Sequence, residues 1–176
     1  MKRSFYTIAT LVVLVTVFAF TVPTQWKIAP KYNISFSTSG VSGIFKTFTG
    51  NISFDEQSLA TSKFDISIDI NSINTGNGMQ NKHAKGADWF DAAKYPAIKF
   101  TSKKIDKTGT GYTATGDLQV HGITKTVSLP FTFKRNGNGG TFEGLFNINR
   151  NDFKIGEAGG EVGEVIKVLV SVPVTK

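Results

Sequence analysis

Phe64-Asp-Ile66-Ser-Ile68-Asp-Ile70 alternates apolar and polar residues without a single error. Successive side chains of a strand point to opposite faces, so such a run demands one buried face and one wet face. Val127, Leu129, Phe131 and Phe133 repeat the pattern, and so do Ile166, Val168, Val170 and Val172. Shorter versions are Ile34 with Phe36, Ile52 with Phe54, Ile98 with Phe100, Leu118 with Val120, and Phe146 with Ile148. Turn signals separate them at Ser39-Gly40, Thr108 to Gly111, His121-Gly122 and Asn136 to Gly140. Clean alternation in many short strands indicates an antiparallel sandwich or barrel with one solvated face. No internal repeat or linker divides the pattern.

One segment departs from it. Between Gly76 and Pro96 the β-branched residues disappear, and Met79, His83, Ala87 and Phe90 stand at helical spacing. Asp88 is suited to cap a short helix through Asp91, with Pro96 ending it. The expectation is a helical excursion between two strands, placed to shape the opening of a barrel.

The first 22 residues carry a different grammar. Lys2 and Arg3 precede an apolar run from Ile8 to Phe20, and Val17-Phe18-Ala19 offers acceptable residues for cleavage. That order predicts a secretory signal peptide over 1–22 and a β-domain over 23–176. The run is shorter than the roughly 20 residues of a spanning helix. The chain has no cysteine, which removes disulfides, thiolate metal sites and a cysteine nucleophile. A periplasmic or secreted bacterial protein fits both features. The net charge of +7 falls to about +5 without Lys2 and Arg3, spread over scattered lysines. Without a basic stripe, nucleic acid is not an expected partner. Transient contact with a membrane surface and a homodimer both remain open.

Catalytic chemistry finds little to work with. His83 and His121 are the only histidines, and neither has a metal-ligand partner at helical spacing. No serine sits in a nucleophile elbow, and nothing marks a catalytic pair among Glu143, Glu157, Glu161 and Glu164. The expectation is no catalytic residue, no metal and no cofactor.

Phenylalanine carries the remaining signal. Of the 15 in the chain, 12 lie beyond residue 22, most of them on the inward parity of strands. An interior of about eight closed strands is either filled by side chains or holds one small ligand. Phenylalanine walls, lacking hydrogen-bonding groups, would suit an alkyl or isoprenoid chain. The candidate lining residues are Phe36, Phe48, Phe54, Phe64, Ile66, Ile68, Trp89, Phe90, Phe100, Phe131, Phe133 and Phe146. The same residues equally suit the packed core of a structural or adhesion β-domain. Composition does not separate the two.

Several segments, in order, carry a family resemblance. Val41-Ser-Gly-Ile-Phe45-Lys-Thr-Phe48, Ser72-Ile-Asn-Thr-Gly76 and Asp88-Trp-Phe-Asp91 with Tyr95 to Ser102 are similar to motifs of the YceI-like family of bacterial exported proteins. So are Gly116 to Lys125 and Asn149-Arg150-Asn-Asp152-Phe153, and the similarity runs from about Trp26 to Val172. The resemblance implies an all-β, lipocalin-like antiparallel barrel with a short helical insertion. It also implies a hydrophobic ligand: a polyisoprenoid, an isoprenoid quinone or a fatty-acid derivative. Two departures stand out. The family often has an Arg-Asp pair and a leucine around the histidine, where this chain reads Gln80-Asn81-Lys82-His83-Ala84, and it usually has glycine where this chain has Lys154. Arg150 and Asp152 are expected to form an ion pair or turn hydrogen bonds. Trp89 and Phe90 are expected at the barrel mouth.

Overall fold

The computed structural model describes residues 23–176; the expected signal peptide lies outside the described residues. The strands are β1 (Gln25–Ile28), β2 (Asn33–Thr38), β3 (Val41–Phe45), β4 (Phe48–Ser53), β5 (Lys63–Asp69), β6 (Ile73–Asn74), β7 (Ala97–Thr108), β8 (Gly111–Val120), β9 (Ile123–Asn136), β10 (Gly139–Asn149) and β11 (Val165–Thr175). One helix, α1 (Gly78–Ala84), lies between β6 and β7.

All pairings are antiparallel, and β1 joins β11 to close the ring. Three walls are each made of two collinear strands: β1 with β2, β3 with β4, and β5 with β6. The result is an eight-walled up-and-down barrel. Each expected strand pattern lies on one of these walls, and each expected turn joins neighbours. One of them, His121-Gly122, links Val120 to its partner Ile123 with both residues at positive φ. That is the geometry of a two-residue hairpin whose twist matches the strands. A Cβ on Gly122 would also strike the Tyr95 ring at 2.5 Å.

The breaks in the three composite walls coincide, and hydroxyl groups bridge them. Pro30 and Lys31, the latter at φ 70°, interrupt the first wall. Tyr32 Oη donates to the Lys46 carbonyl at 2.8 Å and accepts from Phe48 N at 3.1 Å. Thr47 N donates to Ser72 Oγ, which itself donates to the Asp69 carbonyl.

On the β1–β4 side of the breaks the barrel is filled with aromatic rings. Phe54 has no exposed surface and meets the rings of Tyr112, Phe133, Phe142 and Phe131 at 5.1, 5.3, 5.4 and 5.7 Å. These contacts are edge-to-face, the arrangement that ring quadrupoles favour. Trp26 Nε1 donates to the Phe54 carbonyl at 2.9 Å, so the buried indole keeps its hydrogen bond. Outside, Arg135 lies over Trp26 and Phe133 and bonds Glu56 at 2.9 Å. Burial, with the Glu56 carboxylate second, raises the Tyr112 phenol above its ordinary value.

The opposite end is capped differently. Asn77 caps α1 by accepting from Met79 N and Gln80 N, and residues 86–95 follow as a series of turns. The helix therefore lies one turn or more before the Asp88–Asp91 position expected from sequence. The first turn is held in place by Asn81 Oδ1, which accepts from both the amide and the hydroxyl of Thr75 just ahead of the Asn77 cap. Met79 is 81% exposed, so its helical spacing marked no buried face.

Arg150 organises the rest of the cap. Buried in the short 3-10 turn after β10, it donates to the carbonyls of Gly163 (3.2 Å), Ile155 (2.7 Å), Glu157 (2.8 Å) and Val162 (2.9 Å), and to Asn151 Oδ1 (3.2 Å). These five bonds use all five guanidinium N–H groups. The turn hydrogen bonds expected of Arg150 are present, but the ion pair with Asp152 is not. Asp152 bonds Lys125 at 2.8 Å, while every Arg150 donor is already taken by the loop carbonyls and Asn151.

Two substitutions test this description. Phe54→Ala should lower unfolding free energy by about 3–5 kcal/mol in denaturant titration, the cost of removing a fully buried ring. Lys154 sits at φ 53°, a left-handed conformation that glycine adopts freely. Lys154→Gly should therefore raise stability by about 0.5–1 kcal/mol, and a loss would contradict the strain.

Candidate functional site

Past the breaks the barrel is hollow. A cavity of about 960 Å³ extends from the edge of the aromatic plug to the cap. That is near the upper end of small-molecule sites, and far larger than the packing voids of an ordinary core. The walls supply its apolar lining. Ile34 and Phe36 come from β2, Phe45 from β3, Phe48 from β4, and Ile66 and Ile68 from β5. Ile98 and Phe100 of β7, Phe146 and Ile148 of β10, and Val168 and Val170 of β11 complete the tube. These positions are forced by strand parity: each alternates with a residue on the outer face.

Polar groups gather at one end. Gln80, His83 and Asp88 come from the excursion, and Arg150, Lys154, Glu157 and Glu161 from the segment after β10. Arg150 has no free donor, so it contributes charge and rigidity more than a hydrogen bond. Its guanidinium stands 5.5 Å from the Trp89 ring, and Phe90 meets Phe45 edge-on at 6.3 Å. The two residues of the excursion thus seat the cap on the barrel.

The twelve residues expected in the lumen divide into two groups. Phe36, Phe48, Ile66, Ile68, Trp89, Phe90, Phe100 and Phe146 line the cavity. Phe54, Phe64, Phe131 and Phe133 do not; they pack ring on ring in the plug, together with Phe142. The correction has a simple cause. Parity says which face a residue occupies, not how far along the barrel axis it lies. Phe45 lines the cavity and was legible from its parity with Ile34, its partner across β2–β3. The contributions of Ile155, Gly156 and Val162 were not, because the glycine-rich segment 155–163 has no period to read.

The histidines stand apart. His83 borders the cavity, whereas His121 Nδ1 lies 3.2 Å from the Phe153 carbonyl and its ring meets Tyr95 edge-on. Neither lies in a group of three or more potential metal ligands among the described residues.

Comparison with known proteins places this architecture. Residues 23–174 match the YceI-like domain. A UPF0312 protein of Photorhabdus laumondii is 36% identical over 136 residues, covering 74% of this chain and 71% of its own length. Protein YceI of Escherichia coli O157:H7 is 34% identical over 140 residues, with the same coverage of each chain. Among solved structures, Burkholderia cenocepacia BcnA superposes with a TM-score of 0.81 at 30% identity, covering 85% of this chain and all of its own. A polyisoprenoid-binding domain from Saccharophagus degradans shares the fold at a TM-score of 0.60 and 17% identity, covering 88% of this chain and 95% of its own. The strand order, the motifs and these matches agree: the chain belongs to the YceI-like family.

Proposed function

We propose that the protein is an exported binding or carrier protein that holds the tail of a long apolar lipid in the hollow half of its barrel. The observation that carries this reading is a cavity of about 960 Å³ whose side walls are apolar and whose charged groups all lie at the capped end. A polyisoprenoid, an isoprenoid quinone or a fatty-acid derivative has the matching distribution, a long hydrocarbon with one polar end. Each methylene removed from water gains about 0.8 kcal/mol, so a chain of ten carbons supplies ample driving force. The name of the Saccharophagus degradans domain, which shares the fold, points to the same ligand class. A solid structural domain would instead have to leave this volume empty, against the close packing of protein interiors.

The reading is of binding without catalysis. The hydroxyls that line the cavity, Ser35 and Thr75, are not hydrogen-bonded to a histidine or carboxylate that could activate them. The residues assigned to the ligand tail are Phe36, Phe48, Ile66, Ile68, Phe100 and Phe146, with Trp89 and Phe90 at the cap. Residues 1–22 would direct export and be removed, leaving a basic protein whose charge favours approach to an anionic membrane surface.

Native mass spectrometry after incubation with long-chain prenol in detergent tests the proposal. One prenol per chain is expected, and recovery of ligand-free protein alone would overturn it. Ile68→Glu places a carboxylate in the middle of the apolar lining. It should keep the fold and reduce uptake by about tenfold or more, since burying the carboxylate against hydrocarbon is costly.

A further inference from the structure

The wall between β9 and β10 is incomplete. The two strands pair from Asn136–Gly139 only as far as Phe131–Gly144. Beyond that point β9 continues from Pro130 back to Ile123 and β10 continues from Leu145 to Asn149, with no pairing between them. Each remains paired on its other side, β9 to β8 and β10 to β11 over its whole length. Pro130 stands where the ladder stops. Its carbonyl is turned toward Gly144, and it has no N–H to continue the bonding.

The gap is framed at its far end. Lys125 bonds Asp152 at 2.8 Å, and His121 Nδ1 meets the Phe153 carbonyl at 3.2 Å. On the inside, Leu129, Phe146 and Ile148 border the gap and also line the cavity. On the outside, a groove of about 510 Å³ begins at the branch point, lined among others by Pro130, Leu145 and Leu169. Leu145 and Leu169 are cross-strand partners on the outer face, 52% and 43% exposed. Apolar side chains therefore stand near the gap on both faces, Leu145 and Leu169 outside and Leu129, Phe146 and Ile148 inside.

The capped end presents the opposite situation. Segment 155–163 is fixed by the Arg150 bonds, by Gly156 N to the Asp88 carbonyl at 2.9 Å, and by Gly163 N to the Ser39 carbonyl at 3.0 Å. Opening it would break a buried network. Widening the gap beyond the Phe131–Gly144 pair breaks no β9–β10 ladder bond, and an exposed ion pair such as Lys125–Asp152 holds weakly. Unpaired strand edges also need water or another partner, which keeps the gap from sealing as an ordinary sheet does.

We infer that the lipid chain enters and leaves sideways, through the gap between β9 and β10, and not through the capped end. This rests on the lipid-binding reading above. Leu145 and Leu169 form the outer lip of the portal, and Leu129, Phe146 and Ile148 its inner lip. The cap then serves as a fixed seat for the polar end of the ligand.

The absence of cysteine makes a direct test available. Ser128 and Asn147 are exposed and face each other across the gap if the β9–β10 register is continued. Ser128→Cys with Asn147→Cys, bridged by a short bis-maleimide, straps the portal shut. Lys134→Cys with Thr141→Cys straps a pair already in register. Ser39→Cys with Gly163→Cys, a contact at the capped end outside the cavity lining, straps that end instead. The probe is cis-parinaric acid, followed by stopped-flow fluorescence during uptake and during release to phosphatidylcholine vesicles. Strapping Ser128 to Asn147 should slow both rates by about tenfold or more relative to the same unbridged variant, with affinity unchanged, as expected of a gate. The other two straps should leave both rates within about twofold. Unchanged rates in the first, or slowing by the Ser39–Gly163 strap alone, would overturn the sideways route. Failure of the unmodified protein to bind the probe would instead overturn the lipid-binding reading, and the route with it.

Discussion

Closure of the sheet on eight walls sets the width of the interior, and that width is the constraint on which everything else depends. β1 reaches only the last residues of β11, at Lys27–Thr175 and Ile28–Val174, while β2 takes the earlier part of the same strand. The first wall is thus joined to β11 on both sides of the Pro30–Lys31 break. With the width fixed, side-chain volume decides what remains empty. Where five aromatic rings converge around Phe54, nothing remains. Where Ile34, Ile66, Ile68, Ile98 and Val168 alternate around the wall with Phe36, Phe48, Phe100 and Phe146, the inward side chains do not fill the width and a tube remains. One fold holds both a solid anchor and an apolar container.

That division assigns separate tasks to residues of the same type. Phe54 and Phe133 stabilise the barrel, and their loss should be felt mainly in unfolding. Phe36 and Phe146 border open volume and contribute less to stability, because less surrounds them to be lost. The cap adds a third task. Arg150 spends its donors on carbonyls of one loop, so its buried charge is solvated by backbone dipoles and by the Trp89 face. A rigid end and an unzipped side follow from neighbouring residues of β10 and its 3-10 turn.

Much of this was legible in the sequence, for physical reasons that can be named. Strand parity is strict, so Phe64 to Ile70 and Ile166 to Val172 announced their faces unaided. Turn chemistry located the hairpins, since His121-Gly122 and Gly109 occupy positive φ. Depth along the barrel was not legible. Phe64 and Phe100 have the same parity on neighbouring walls, yet one joins the plug and the other borders the cavity. The helix was displaced because Asn77 and Asp88 are both competent caps, and only the contacts of Asn81 with Thr75 favour the first. The gap between β9 and β10 depends on a partner that is missing, and Pro130 is its only trace in the sequence. Lys154 shows the reverse. Its departure from the family's usual glycine became interpretable only once its φ was known.

The central claim is that one half of the barrel is filled and the other half is a container for an apolar chain. Stearic acid carrying a nitroxide near its methyl end tests it most directly, read out by methyl NMR of the bound protein. The account predicts strong broadening of the inward Ile66, Ile68, Ile98 and Val168 methyls, well beyond that of Leu145, Leu169 and Ile44 on the outer face. Broadening confined to Leu145, Leu169 and Ile44 on the outer face, with the interior methyls unchanged, would contradict it.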